Sequence, residues 1–224
     1  MVPTWDHEIE LRSRGYRLVA GVDEAGRGAW AGPLVAAAVV FAPEAFGEAA
    51  CATGRYEELG RLRDSKLLSA CVREELLDCV RMAALAVGVG VVTSGLIDAI
   101  GLGPANRLAM ARAVRALAGS QGSTHALLPD FLLIDAFKLP TMPIPQRPII
   151  KGDATCMSIA AASVVAKVTR DRMLCQFDLE YPGYGFAQHK GYGTQQHAEA
   201  LQSLGLLPIH RRSFAPIKAL LPEE

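Results

Sequence analysis

The sequence predicts an α/β domain, and three observations carry that expectation. Two runs dense in small and β-branched residues, Arg17–Asp23 and Pro33–Phe41, read as strands, the second apolar enough to be covered on both faces. Strand-like and helix-like periods then alternate along the chain. At 224 residues, with 50% hydrophobic and 21% charged positions, the chain can bury a substantial core.

The elements follow in order. The first two strands are joined through Gly26-Arg27-Gly28, and residues 43–63 read as an irregular loop. Asp64-Ser65-Lys66 precedes a helix with Ser69 as N-cap and Val72, Leu76, Val80 and Ala83 on its inner face. Leu85–Thr93 alternates like a third strand, and Pro104, suited to a first helical turn, opens a helix through Leu117. Phe131–Ile134 is a short apolar strand that ends in Asp135. A proline-rich connection leads to another short strand, Pro148–Lys151, before Gly152-Asp153. Residues 158–174 form a helix in which Ala160, Ala161 and Ala162 let neighbouring elements approach closely. From Tyr181 the chain is rich in glycine and aromatics ahead of a short helix, Thr194–Leu204. Residues 1–180 are thus expected to form the main domain and residues 181–224 a small loop-and-helix appendage.

Several function classes are disfavoured. No apolar stretch reaches the ~18 residues of a membrane span, and the start MVPTWDHEIELRSRG is too polar for a signal peptide, so the expected compartment is the cytoplasm. Cys51, Cys71, Cys79, Cys156 and Cys175 are odd in number, without Cys-x-x-Cys, and read as small buried hydrophobes in a reducing cell. Lys plus Arg equals Asp plus Glu at 23 each, which argues against a generic polyanion binder. Yet residues 138–218 hold ten Lys/Arg against five Asp/Glu, and residues 1–64 hold seven against ten. That asymmetry is either ordinary surface scatter or a basic C-terminal part that holds phosphates beside an acidic site.

VDEAGRG, residues 22–28, poses the central question. Adjacent strand residues point to opposite faces, so aiming Asp23 and Glu24 at one point asks for a backbone turn, which Gly26 and Gly28 are expected to supply. Asp135 and Asp153 also follow predicted strands, and sites of open α/β sheets form at the carboxyl ends of strands. Each acid alone reads as a helix cap or turn residue, but four together repel unless a cation neutralises them. Without His or Cys the set favours Mg²⁺ or Mn²⁺ over zinc. The residues by themselves point to a divalent-metal phosphotransfer or nuclease site. The glycine turn also suits a phosphate-cradling nest, although it is neither a dinucleotide fingerprint nor a P-loop.

GVDEAGRG, DSK, LLIDA, KGD, SIAAASVVAKVTRD, YGFAQHKGY and HRRSF, in this order from Val19 to Lys218, resemble bacterial ribonuclease HII, the type 2 ribonuclease H. The resemblance implies a ribonuclease H-like α/β fold, a mixed sheet flanked by helices with a small helical C-terminal appendage, and an endonuclease that cuts RNA hybridised to or embedded in DNA, leaving 3′-hydroxyl and 5′-phosphate ends. It implies that Asp23, Glu24, Asp135 and Asp153 are the catalytic acids and hold two ions, Asp23 touching both, Asp153 on the water-activating side, Glu24 and Asp135 on the leaving-group side. By the same similarity Gly26, Arg27 and Gly28 sense the ribose 2′-hydroxyl, and Tyr192 packs on the sugar of the next nucleotide. The substrate would be an RNA–DNA hybrid or ribonucleotide-containing duplex DNA, and the enzyme a monomer away from membranes.

Lys66, Lys151, Lys167, Arg170, Lys190, Arg211 and Arg212 are candidates for phosphate contacts, which position a duplex without reading sequence. His189 is either a structural loop residue or a proton shuttle, and Trp5 and Trp30 read as packing or surface residues. Three features depart from the family pattern: Ala29-Trp30 stands where a proline is usual, Ala136 where a glycine is usual, and Ala42–Arg63 is longer than expected. Two rival functions remain. A metal-dependent nucleotide phosphotransferase predicts nucleotide turnover and no nicking; a catalytically silent nucleic-acid-binding module predicts hybrid binding that needs neither metal nor acids.

Overall fold

The computed structural model describes residues 2–46, 54–119 and 128–221. Its centre is β1 (Val19–Ala25), which pairs antiparallel with β2 (Leu34–Phe41) on one side and parallel with β4 (Phe131–Asp135) on the other. The five-stranded mixed sheet is completed by β3 (Ala84–Val92) beyond β2 and β5 (Gln146–Ile149) beyond β4.

Every residue of β2 is buried, which accounts for its unbroken Val/Ala run. Ala36, Ala38 and Val40 pack with Ala20 and Val22 against α4 (Leu102–Ala116); Ala37, Val39 and Phe41 face α2 (Ala70–Ala83) and α6 (Met157–Glu180). Ser69 caps α2 as expected, its hydroxyl accepting from the Val72 N–H at 3.3 Å. Through Ala166 α6 is buried on all sides, between the sheet and α2, so it shows no amphipathic stripe there. Its N-terminus is held from α1 (Asp6–Ser13): Glu8, buried, accepts from the Ser158 N–H at 2.9 Å.

Three sequence expectations shift. β1 runs two residues past Asp23, so both acids lie within the strand. β5 starts at Gln146 rather than Pro148 and ends at Ile149; Pro148 is tolerated because β5 is an edge strand, and Lys151 leaves it in the left-handed region at φ 56°. Of the described cysteines only Cys156 is buried, because Cys71 and Cys175 lie on the solvent faces of α2 and α6. The irregular loop contains 3₁₀ turns at Pro43–Ala45 and Gly54–Arg61, and residues 47–53 of it fall outside the described set. Helices α1 and α3 (Ser94–Ile100) were not foreseen. After α5 (Gly152–Thr155) and α6, the C-terminal residues form α7 (Phe186–His189), α8 (Gln195–Leu204) and α9 (Ala215–Lys218). Among the described residues no helix is long and apolar enough to cross a membrane.

α6 crosses β1 at Gly21, where a β-carbon would stand inside the contact radius of the Ser158 carbonyl. Gly21→Ala is expected to lower the unfolding free energy by about 2–3 kcal/mol through overpacking, whereas Gly95→Ala, where a β-carbon meets nothing within 4 Å, should raise it by up to about 1 kcal/mol. Urea denaturation of the two variants checks the pair; equal stabilities would remove the close-packing account.

Candidate active site

The acids converge without a turn between them. The β1–β4 pairing ends at Val22–Ile134, so Asp23 and Glu24 project beyond the last paired residues while Asp135 closes β4. Asp23 shares the sheet face of α6, and Glu24 lies on the α4 side beside Asn106. At the strand end the two faces meet. One carboxylate oxygen from each of Asp23, Glu24 and Asp135 lies within 4.8 Å of the others. The turn follows the acids instead, with Gly26 at φ 94°. Asp153, on α5, is buried and stands beside the trio, its charge acting on Asp23. Two of the acids are anchored by backbone: Asp135 accepts from the Gly152 N–H at 2.8 Å and Asp23 from the Glu24 N–H at 2.7 Å.

The electrostatics match the geometry. Burial, reinforced by Glu24 and Asp135, holds the Asp23 carboxyl well above the usual carboxylate range. Burial pushes Glu24 up to about 7 against the opposing charge of Arg27, whose guanidinium is 3.6 Å away. Asp135 and Asp153 are raised as well, chiefly by burial. Lys66 answers this charge from the 3₁₀ turn Ser65–Leu67, with its Nζ 3.7 Å from Asp153 and 3.9 Å from Asp64. Four acids with raised pKa values, three of them in mutual reach, make an oxygen-only donor set that fits a hard divalent cation.

Asp23, Glu24 and Asp135 open into a cleft of about 850 Å³ whose lining includes Gly26, Arg27, Gly28, Lys66, Lys167 and Tyr192. The structure thus brings the expected 2′-hydroxyl turn and the expected sugar-stacking tyrosine to the acids. Lys167 is engaged internally, 2.7 Å from Asp171 and over the Tyr192 ring. Lys66, Lys151 and Arg212 are exposed, and Lys190 is half-buried.

Arg170 departs from expectation. It is fully buried, and it donates to the carbonyls of Pro33, Lys190 and Ala31 at 2.8–3.0 Å, so a phosphate does not reach it here. Its guanidinium occupies the place a side chain at residue 26 would need, which explains why that turn begins with glycine. Arg211 is equally buried and donates to Gly32 and Arg27 carbonyls. Both look like phosphate binders in sequence because a solvated and a buried arginine have the same letter. His189 is buried with both ring nitrogens in hydrogen bonds, which makes it structural.

Sequence reasoning missed two residues. Asp64, in the DSK stretch, adds negative charge that raises Asp135 and Asp153. Asn106, buried on α4, opposes the rise of Glu24, and its amide atoms meet no protein partner in hydrogen-bonding geometry. A polar residue among Leu102, Ala105, Ala109, Met110 and Ala113 on the inner face of α4 was the available signal.

Residues 20–217 match the family model described as Ribonuclease HII. Ribonuclease HII of Dehalococcoides mccartyi strain BAV1 is 48% identical over 98% of this chain and 95% of its own length. Ribonuclease HII of Chloroflexus aurantiacus is 47% identical over 100% and 99%. The fold is similar to the crystal structure of ribonuclease H2 from Pyrococcus horikoshii OT3, with a TM-score of 0.69 and 25% identity over 91% of this chain and 96% of that one. Family match, near-full-length identity and the acid-lined cleft agree: the chain belongs to the ribonuclease HII family.

Proposed function

We propose that this chain is a ribonuclease H, an endonuclease that hydrolyses the RNA strand of RNA–DNA hybrids and nicks duplex DNA on the 5′ side of embedded ribonucleotides. The observation that carries the reading is the convergence of Asp23, Glu24 and Asp135 within 4.8 Å at the floor of a cleft that also holds the glycine turn and Tyr192.

Asp23, Glu24, Asp135 and Asp153 would hold two Mg²⁺ or Mn²⁺ ions, which when bound supply activation of water and neutralisation of charge on the leaving oxygen. The protein's own groups do the rest. Gly26, Arg27 and Gly28 present backbone close to the scissile ribose, where the 2′-hydroxyl is the group that tells RNA from DNA. The Tyr192 ring, with Arg170 5.4 Å and Lys167 5.6 Å from its centroid, offers a fixed apolar face to a sugar lacking that hydroxyl. Lys66 keeps a cation beside Asp153 and the exposed end of the cleft, in reach of a backbone phosphate.

The first test is nicking of a DNA duplex with one ribonucleotide, beside an all-DNA control, in Mn²⁺, Mg²⁺ and chelator. A metal-dependent cut 5′ of the ribonucleotide, leaving 3′-hydroxyl and 5′-phosphate, is expected. No cut in either metal would return the phosphotransferase or the silent module. Asp23→Asn is expected to lower turnover more than about a thousandfold, roughly 4 kcal/mol of barrier, while a gel-shift assay finds hybrid binding retained; full activity would sink the acid assignment. Tyr192→Ala should lose about tenfold more activity on single ribonucleotides than on long hybrids, and equal losses would remove its role at the junction.

The raised acids also give a sign to the pH dependence. A carboxyl whose folded pKa exceeds its unfolded value adds stability at low pH that is lost as pH rises; for Glu24 the window runs from 4.5 to about 7. Without divalent metal the thermal midpoint should therefore fall across that window. Added Mn²⁺, which needs the ionised acids, should raise it more at pH 8 than at pH 5.5. Scanning fluorimetry checks this; a metal effect larger at the lower pH would contradict the assignment.

A further inference from the structure

Away from the acids, three histidines are buried against one another: His189 on α7, His197 on α8 and His210 in the segment before α9. The rings of His189 and His197 stack at 4.3 Å, 10° from parallel, and Phe186 sets its edge against both. His189 reaches the lining of the cleft, but none of the three is a free base, because every ring nitrogen is already engaged.

The partners fix each proton. A neutral imidazole has one N–H and one lone pair. The Gly191 N–H donates to His189 Nδ1 at 3.1 Å, so the His189 proton sits on Nε2 and is donated to the Tyr184 carbonyl at 2.8 Å. The Leu207 N–H donates to His210 Nδ1 at 2.9 Å, so His210 is also protonated on Nε2. His197 must be the reverse: its Nδ1 faces the Tyr192 carbonyl at 3.0 Å, an acceptor, and so carries the proton. Its Nε2 lone pair is then free to accept from His210 Nε2–H, and those nitrogens are 3.1 Å apart. The assignment closes without a spare proton or a missing one. Burial agrees with it, pushing His197 and His210 down to about 4 and lowering His189, so all three are neutral near pH 7.

Two of these bonds end on the backbone around Tyr192. His197 holds the Tyr192 carbonyl and His189 holds the Gly191 N–H. Trp30 closes the same unit: its ring lies 5.6 Å from that of His197 and fills the space where a side chain at Gly193 would stand. Gly191 in turn accepts from the Trp30 and Ala31 N–H groups at 2.8 and 3.1 Å.

We infer that His189, His197 and His210 form a tautomer-locked network that sets the position of the Tyr192 ring in the cleft, making the three histidines positioning residues for discrimination at the RNA–DNA junction. The inference rests on the proposed role of Tyr192. It does not require the histidines to touch substrate or to exchange a proton during the reaction.

Two measurements on the full chain test it. Long-range ¹H–¹⁵N correlation of the wild-type imidazoles at pH 7 should find His197 as the Nδ1–H tautomer and His189 and His210 as Nε2–H; any other pattern overturns the network. This measurement needs no variant to fold. The second is the ratio of cleavage at a single ribonucleotide to cleavage of a long hybrid. His197→Phe keeps a ring but loses both polar contacts, and should lower the ratio about tenfold, as Tyr192→Ala does. His197→Asn, whose amide N–H can replace Nδ1–H toward the Tyr192 carbonyl, should keep the ratio within about threefold of wild type. A ratio unmoved by His197→Phe while Tyr192→Ala lowers it overturns the positioning role alone. A ratio unmoved by Tyr192→Ala itself overturns the reading of Tyr192 and the positioning role together, and the imidazole signals still decide whether the network exists.

Discussion

The structure depends on holding like charges together. Three carboxylates within 4.8 Å, with a fourth beside them, repel in the absence of metal, and burial makes the repulsion stronger. Such a site stays assembled only if its frame is stiffer than the repulsion. β1 meets that need by lying second to no edge: it is bonded to β2 through Ala25 and to β4 through Val22, with α6 pressed on Gly21 from below. The acids start where the β4 pairing stops, so they reach solvent from the most constrained strand of the sheet. Arg27 and Lys66 lower the local charge without filling the cleft, since each reaches it from an exposed stem.

The rim is built by a different device. Arg170 and Arg211 are buried without a carboxylate of their own within ion-pair distance among the described residues, and burial depresses both, Arg211 to about 9. They remain charged at neutral pH. Each spends its planar fork on main-chain carbonyls: Arg170 ties residues 31, 33 and 190 together, and Arg211 ties residues 27 and 32. A lysine offers no such fork and would leave several of these carbonyls without a partner. The loops at the rim of the cleft are thereby cross-linked through side chains rather than through secondary structure.

Much of this was legible in the sequence, for reasons that differ by element. β2 and α2 were readable because local pattern decides them: an unbroken apolar run for one, a serine cap and an apolar stripe for the other. The four acids could be picked out because each stands at or just after the carboxyl end of a strand expected from the sequence, although the mechanism of their convergence was not legible. Reading a turn into Gly26 assumed that opposite faces of a strand stay apart, and the early end of the β1–β4 pairing is a long-range fact that no local pattern carries. Glu8 could not be seen as the cap of a helix 150 residues away, nor Arg170 as a carbonyl ligand, since burial is decided by the fold. Ala136 was flagged as unusual, and it does stand in the left-handed region at φ 54°, the conformation that would favour glycine.

In the proposed reading chemistry and recognition share one short segment, and the C-terminal residues complete it. Residues 23–33 contain two acids, the glycine turn, and, apart from that of Lys190, the carbonyls that Arg170 and Arg211 hold. The same segment bonds to the appendage through Trp30 and Ala31 N–H to Gly191, Gly32 N–H to Ile209, and Arg211 N–H to the Trp30 carbonyl. Without residues 181–221 those buried backbone groups lose their partners, at a cost of about 1–3 kcal/mol for each group left unsatisfied. The turn beside the acids is therefore shaped by both ends of the chain. A substitution in the histidine network has a physical route to the cleft that does not pass through the sheet: from His197 to the Tyr192 carbonyl, and from His189 through Gly191 to Trp30 and the turn that precedes it.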